Sequence, residues 1–157
     1  MGVKESFREL RRGVGSNLQN FINAPRAAWR EVRAKNQLAL ETSVEEESRR
    51  LYVNTEIRLA KLVVDLKRAG AHSMLYVNID DAMQHLDQNK VERSKKMLSN
   101  VKSPEKIDDI RIRSFLDAKK YWQEKLEESN TPLEVRMLGV RRKWQLDRQL
   151  EILGYKP

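Results

Sequence analysis

Cysteine is absent, which removes disulfides, thiolate zinc sites and cysteine nucleophiles from consideration. Histidine occurs only at His72 and His85, so acid–base chemistry near neutral pH has few carriers. Six glycines and four prolines among 157 residues are too few to punctuate a many-stranded fold. Aromatic residues make up only 6 % of the chain. No stretch approaches the ~20 apolar residues that span a bilayer. The most apolar run, Leu59 to Leu66, already contains Lys61 and Asp65. A secretory signal is not expected either, because the N-terminus lacks an apolar core. Neither a G-x-S-x-G elbow nor a phosphate loop is present, and Gly13-x-Gly15-Ser16 lacks the Lys-Ser/Thr tail that would cradle a nucleotide. An enzyme is not expected, and no cofactor or metal is implied.

Charge is what the chain has in abundance. Lys and Arg number 31 against 23 Asp and Glu, and charged residues are 34 % of the whole where about 25 % is usual. Ala, Glu, Lys, Leu and Arg together make just under half of the residues, a composition close to that of long helices. Helical periodicity supports the same class. From Pro25 to Ala69 no further Gly or Pro interrupts the pattern, and Gly70 follows as a stop. Ser43-Val44-Glu45-Glu46 has the form of a capping box, so this stretch is either one helix of ~45 residues or two that meet near Thr42. Further helices are expected from Asn78, from Ser103-Pro104 and from Thr131-Pro132-Leu133-Glu134, where a capping box again meets a proline at the first helical position. Met74 to Val77 reads as a short extended piece. The fold class is all-α, with four to five helices, one of them long, extended or loosely bundled. The apolar stripes are thin and interrupted: Lys119 falls between Phe115 and Trp122, and Asp147 follows Trp144. The last helix is expected to present Leu133, Met137, Val140, Trp144, Leu150 and Leu153. Stripes so narrow suggest helices that cover themselves with another protein.

The excess positive charge sits at one end. Residues 1–35 hold eight Lys or Arg and three Glu. Residues 1–22 form a basic amphipathic segment, followed by a helical domain over 23–157. Within that segment Phe7 and Leu10 lie at helical spacing, with Arg8, Arg11 and Arg12 on other faces. A short surface helix with solvated charges is the first reading, mitochondrial targeting the second, and peripheral membrane contact through N-myristoylation of Gly2 the third; the localisation expected is mitochondrial, otherwise cytoplasmic.

Two clusters compete for a binding role. Trp29, Trp122 and Trp144 lie in three separate predicted helices and suit docking anchors, because Trp buries a large rigid surface. Arg141, Arg142 and Lys143 precede Trp144, so phosphates and a stacked base are one possible target, though nearby acids make nucleic acid the weaker alternative. His72, Asp80, Asp81 and His85 would ligate a metal only if the loop between them folded back. The paired acids Asp80-Asp81 and Asp108-Asp109 and the run Glu45-Glu46-Glu47 are expected in first turns, where they complement the helix dipole. The favoured expectation is a structural subunit of a larger protein assembly, such as a mitochondrial inner-membrane complex of the ATP synthase or respiratory type, on its soluble side. A ribosomal or RNA-binding protein and a myristoylated membrane-peripheral adaptor are the alternatives.

Overall fold

The computed structural model describes the backbone of residues 2–70 and 75–157 and the side chains of residues 26–70 and 79–157. Among them are four helices and no strand: α1 (Gly2–Arg68), α2 (Leu75–Leu98), α3 (Pro104–Glu127) and α4 (Leu133–Ile152). The fold is all-α. The chain forms two compact units, residues 1–40 and 41–157.

The open question about residues 25–69 is settled in favour of one helix. Neither the Gly13–Ser16 pair of glycines nor Pro25 ends it. A glycine costs a helix interior about 1 kcal/mol and a proline about 3, so these positions mark the weakest stretch of α1 without terminating it. Ser43 opens nothing, because the backbone before it is already helical. Helix α2 starts at Leu75, earlier than Asn78, so residues 75–77 are helical and not extended. Gly70 and Gly154 both adopt positive φ, at 73° and 77°, and close α1 and α4 as expected of helix-stop glycines.

The first turns of α3 and α4 differ in a way their sequences conceal. Ser103 caps α3, its hydroxyl accepting from the Lys106 N–H, with Pro104 at the first helical position. The matching Thr131 does not cap α4; Pro132 holds the cap position with no side-chain bond. The Thr131 hydroxyl instead donates 2.7 Å to the Lys125 carbonyl, closing the end of α3.

Residues 41–157 form an up-down-up-down four-helix bundle made from the second part of α1 and from α2, α3 and α4, with α2 antiparallel to α1 because Val44 clusters with Leu98, Tyr52 meets Lys90, and Leu59 and Val63 share a cluster with Ile79 and Met83. Cross-contacts fix the directions. Glu41–Lys106, Glu45–Arg113 and Arg49–Asp117 rise together along α1 and α3, so these run parallel. Lys119–Asp147 and Lys67–Glu134 set α4 antiparallel to both. The acids at 45–47 therefore lie in the middle of α1. Glu45 serves an interhelical ion pair, which corrects its assignment to a first turn. Lys119 and Asp147, the charges that interrupt two apolar stripes, satisfy each other at 2.6 Å.

The core has two apolar clusters. Val44, Leu98, Val101 and Ile110 form the smaller. Tyr52, Leu59, Val63, Met83, Phe115, Trp122, Val135, Leu138, Leu146 and Leu150 belong to the larger. Between them the buried hydroxyls of Ser48 and Ser114 lie 2.9 Å apart; Ser114 also donates to the Ile110 carbonyl, so Ser48 is the donor to Ser114. The thin stripes thus do close a core within this chain.

Candidate functional site

The orientation of α4 is set by an arginine. Val135, Leu138, Gly139, Arg142, Leu146 and Leu150 all face inward. Arg142 is almost wholly buried and lies against Glu56, which is inaccessible to solvent. The two form a bidentate pair, with Nη2 donating 2.6 Å to Glu56 Oε1 and Nε donating 2.8 Å to Oε2. Nη1 and Nη2 also donate to Asp87 at 2.9 and 3.0 Å, and Nη1 donates to Gln145 Oε1 at 2.9 Å. All five guanidinium N–H groups therefore have acceptors. Trp122 Nε1 donates 2.7 Å to Glu56 Oε2 and completes the carboxylate's surroundings.

Two neighbours tighten the arrangement. Lys90 donates 3.0 Å to Asp87, and its ammonium lies 4.8 Å from the centroid of the Tyr52 ring. Gly139 lets α4 approach Trp122: a Cβ at this position would lie 2.9 Å from Trp122 Cε3. Burial opposes charge on Arg142, but the hydrogen bonds it donates to Glu56 and Asp87 and the negative charge of those carboxylates outweigh it and raise its pKa. Burial likewise pushes Asp87 up, yet the bonds and charges of Arg142 and Lys90 prevail and hold its carboxyl below the ordinary value. Every buried side-chain nitrogen or oxygen among the described residues has a partner. The cluster is a closed structural network. It locks the rotation of α4.

With Arg142 turned inward, the opposite side of α4 is fixed outward. Leu133, Met137, Val140 and Trp144 are 67, 51, 61 and 60 % exposed. Their spacing of four, three and four residues is that of a heptad a/d seam. Full burial of such side chains would be worth about 1.5–3 kcal/mol each, none of which the isolated chain gains at these four positions in full. In heptad terms the flanking e and g positions are Glu134, Arg136, Arg141, Lys143 and Arg148. Glu134 is bound to Lys67, and Arg141 meets Asp80 at 2.5 Å. Arg136 donates to the carbonyls of Thr131 and Glu128. The Arg148 guanidinium lies 5.2 Å from the Trp144 ring centroid. A basic rim surrounds an apolar stripe.

The residues singled out from the sequence separate into distinct places. Trp122 is inaccessible in the core and Arg142 is buried in the ion network; neither is a surface anchor, because the helix faces that carry them form the interior of the bundle. Trp144 and Arg141 are exposed and Lys143 is half-buried, so the basic triplet brings two cations, not three, toward the surface. Trp29 belongs to the first unit and is exposed, lining a shallow depression with Arg26, Arg30 and Arg33. Gly2, Phe7, Arg8, Leu10, Arg11 and Arg12 lie outside the residues with described side chains, and His72 lies outside the described residues altogether. His85 is exposed and its hydrogen-bond partner is Asn89, at 3.3 Å, not Asp81. No group of three metal-ligating side chains converges among the described residues.

Glu56, Asp87, Lys90 and Gly139 were not anticipated. The available signal was a charge at a seam position: Tyr52, Glu56, Leu59 and Val63 follow one another at spacings of four, three and four. Comparison with known proteins adds no relative, since no family model, no curated protein and no solved structure matches this chain.

Proposed function

We propose that this chain is a non-catalytic helical subunit that docks into a larger protein assembly. The observation that carries the proposal is the exposed heptad seam on α4, held outward by a buried ion network. Residues 26–40 of the first unit support it. All of them except Gln37 are exposed, including the apolar Trp29, Val32, Leu38 and Leu40. Helices that bury little of their apolar surface gain little stability from it and are ordinarily completed by a partner. Phosphate recognition is less well supported, because Arg142 is withdrawn into the core and Arg141 is matched to Asp80.

The setting we favour is the soluble side of an organellar membrane complex, mitochondrial in view of the basic residues 1–22, with an ATP synthase or respiratory assembly as the model. No described helix is long and apolar enough to cross a membrane. The test is the native mass of the chain, tagged after Pro157 and extracted gently from its own cells. A particle far larger than the 18.5 kDa of one chain is expected. A monomer in such extracts would contradict the proposal. Changing Arg8, Arg11 and Arg12 to Glu should abolish the localisation if the N-terminal charge directs it; correct placement of that variant would remove the mitochondrial setting.

A further inference from the structure

Resting on that assembly reading, we infer that the α4 seam is the docking site of one amphipathic helix from a different protein, and that this helix carries acidic residues beside its apolar stripe. Four observations lead there.

The seam is narrow, one side chain per turn over Leu133, Met137, Val140 and Trp144, which suits the a/d stripe of a single facing helix. A broad apolar face would be needed to lie flat in a lipid interface. The e and g positions carry Arg136, Arg141, Lys143 and Arg148; Arg141 is matched to Asp80, which leaves three cations against the single carboxylate of Glu134. That carboxylate is already engaged by Lys67, so it does not offset the others across the interface. Residues at these positions choose partner and orientation in helix pairing.

The same charge excludes the two occupants nearest to hand. A second copy of this chain would bring an identical basic rim against the first, and like charges at e and g repel. The chain's own N-terminal segment is no better matched, since residues 2–25 hold Lys4, Arg8, Arg11 and Arg12 against Glu5 and Glu9. A second exposed apolar surface among the described residues, around Trp29 and Val32, is also bordered by cations, Arg26, Arg30 and Arg33, with Glu31 already paired to Lys35. Basic rims on both surfaces call for acidity in what meets them. The partner's chemistry is therefore an apolar a/d stripe flanked by Glu or Asp.

The arrangement also makes the dock rigid. Arg142 cannot turn outward without leaving the buried Glu56 carboxylate with no cation and only the Trp122 indole as donor, so the seam is presented in one orientation. The Arg148 guanidinium already lies over the Trp144 ring, which pre-positions both for contact.

The experiment uses the full chain and two synthetic helices of identical length. Each has Leu at a and d; one has Glu at every e and g position, the other Lys. Like charge keeps each peptide from pairing with itself. Titration by fluorescence anisotropy should show the Glu helix binding about tenfold or more tighter than the Lys helix, with the gap narrowing as salt screens the rim. Met137→Glu with Val140→Glu should abolish Glu-helix binding while leaving the unfolding midpoint of the chain unchanged. Lys143→Glu with Arg148→Glu should keep the seam and shift preference toward the Lys helix.

Equal binding of the two helices, or binding that survives Met137→Glu with Val140→Glu, would overturn the inference. So would seam-dependent dimerisation of the chain alone. Seam-dependent binding to vesicles of phosphatidylcholine and phosphatidylserine, with no binding of the Glu helix, would assign the surface to lipid instead. The assembly reading fails separately. A wild-type chain that binds the Glu helix but runs as a monomer in native extracts would sink that reading alone. A variant lacking the seam that still enters the native particle would sink the docking inference alone.

Discussion

Helix α4 carries two apolar seams, and they have opposite fates. Val135, Leu138, Leu146 and Leu150 are buried against the rest of the bundle, while Leu133, Met137, Val140 and Trp144 stand in solvent. Hydropathy does not separate them, since both are apolar and both recur at helical spacing. What separates them is Arg142, which lies in the first row and finds two carboxylates inside. A buried charge is costly unless fully paired, so a network that satisfies every guanidinium N–H allows one rotation of the helix and disfavours others. Polar residues here specify which face becomes the fold and which is left in solvent.

The most severe way to break that distinction is to remove the arginine. Arg142→Met leaves Glu56 buried with only the Trp122 indole as donor, and should cost about 3–5 kcal/mol in urea denaturation. Arg142→Lys is expected to recover little, because a single ammonium cannot reproduce the forked contacts to Glu56 and Asp87. Stability equal to that of the unaltered chain would show that the network does not hold α4. Next in size is Gly139→Ala. Its Cβ would press on the Trp122 ring, and overpacking of this kind costs about 1–3 kcal/mol, measured as a lower urea midpoint with an unchanged slope.

A smaller effect follows from pH. The carboxyl of Asp87 is held below its ordinary value in the folded chain, so the unfolded state binds the proton first on acidification. The stability this group contributes is complete above the ordinary aspartate range near about 4, and is lost as pH falls through the folded-state value. Asp87→Asn should therefore flatten the acid limb of stability against pH. A steep acid limb that persists in the variant would place the linkage elsewhere.

The helical class, a long stretch of helix ending at Gly70, the Ser103 cap and the glycine stops were legible in the sequence because each rests on local chemistry; that the helix runs on through Pro25 and Gly13–Ser16 to Gly2 was not. The arrangement was not. Periodicity groups Leu133, Met137, Val140 and Trp144 with Leu150 and Leu153 as one stripe, yet Leu150 is buried and the first four are exposed. Periodicity identifies a seam without saying whether it points in or out. Trp122 and Trp144 have the same composition signal, and only the pairing of Trp122 with Glu56 and Gly139 separates a core residue from a surface one. Ser43-x-x-Glu46 misled for a related reason: a capping box is chosen only where the chain is free to start a helix, and there it was already helical. Glu56 and Asp87 lie 86 and 55 residues from Arg142, so nothing local announced their pairing.

The least effect on stability is expected from the outer seam itself. Met137→Glu with Val140→Glu should change the folding free energy by no more than about 0.5 kcal/mol, because both side chains already face water. A large loss would mean that the outer seam is part of the fold after all.

One face of α4 builds the chain, and the other is proposed to meet a partner. Hydroxyl-radical footprinting tests it most directly, applied to the native particle and to the isolated chain. Met137 and Trp144 should be oxidised readily in the isolated chain and protected in the particle, while Trp122 stays unreactive in both as an internal reference. Met137 and Trp144 reacting equally in the two samples would contradict it.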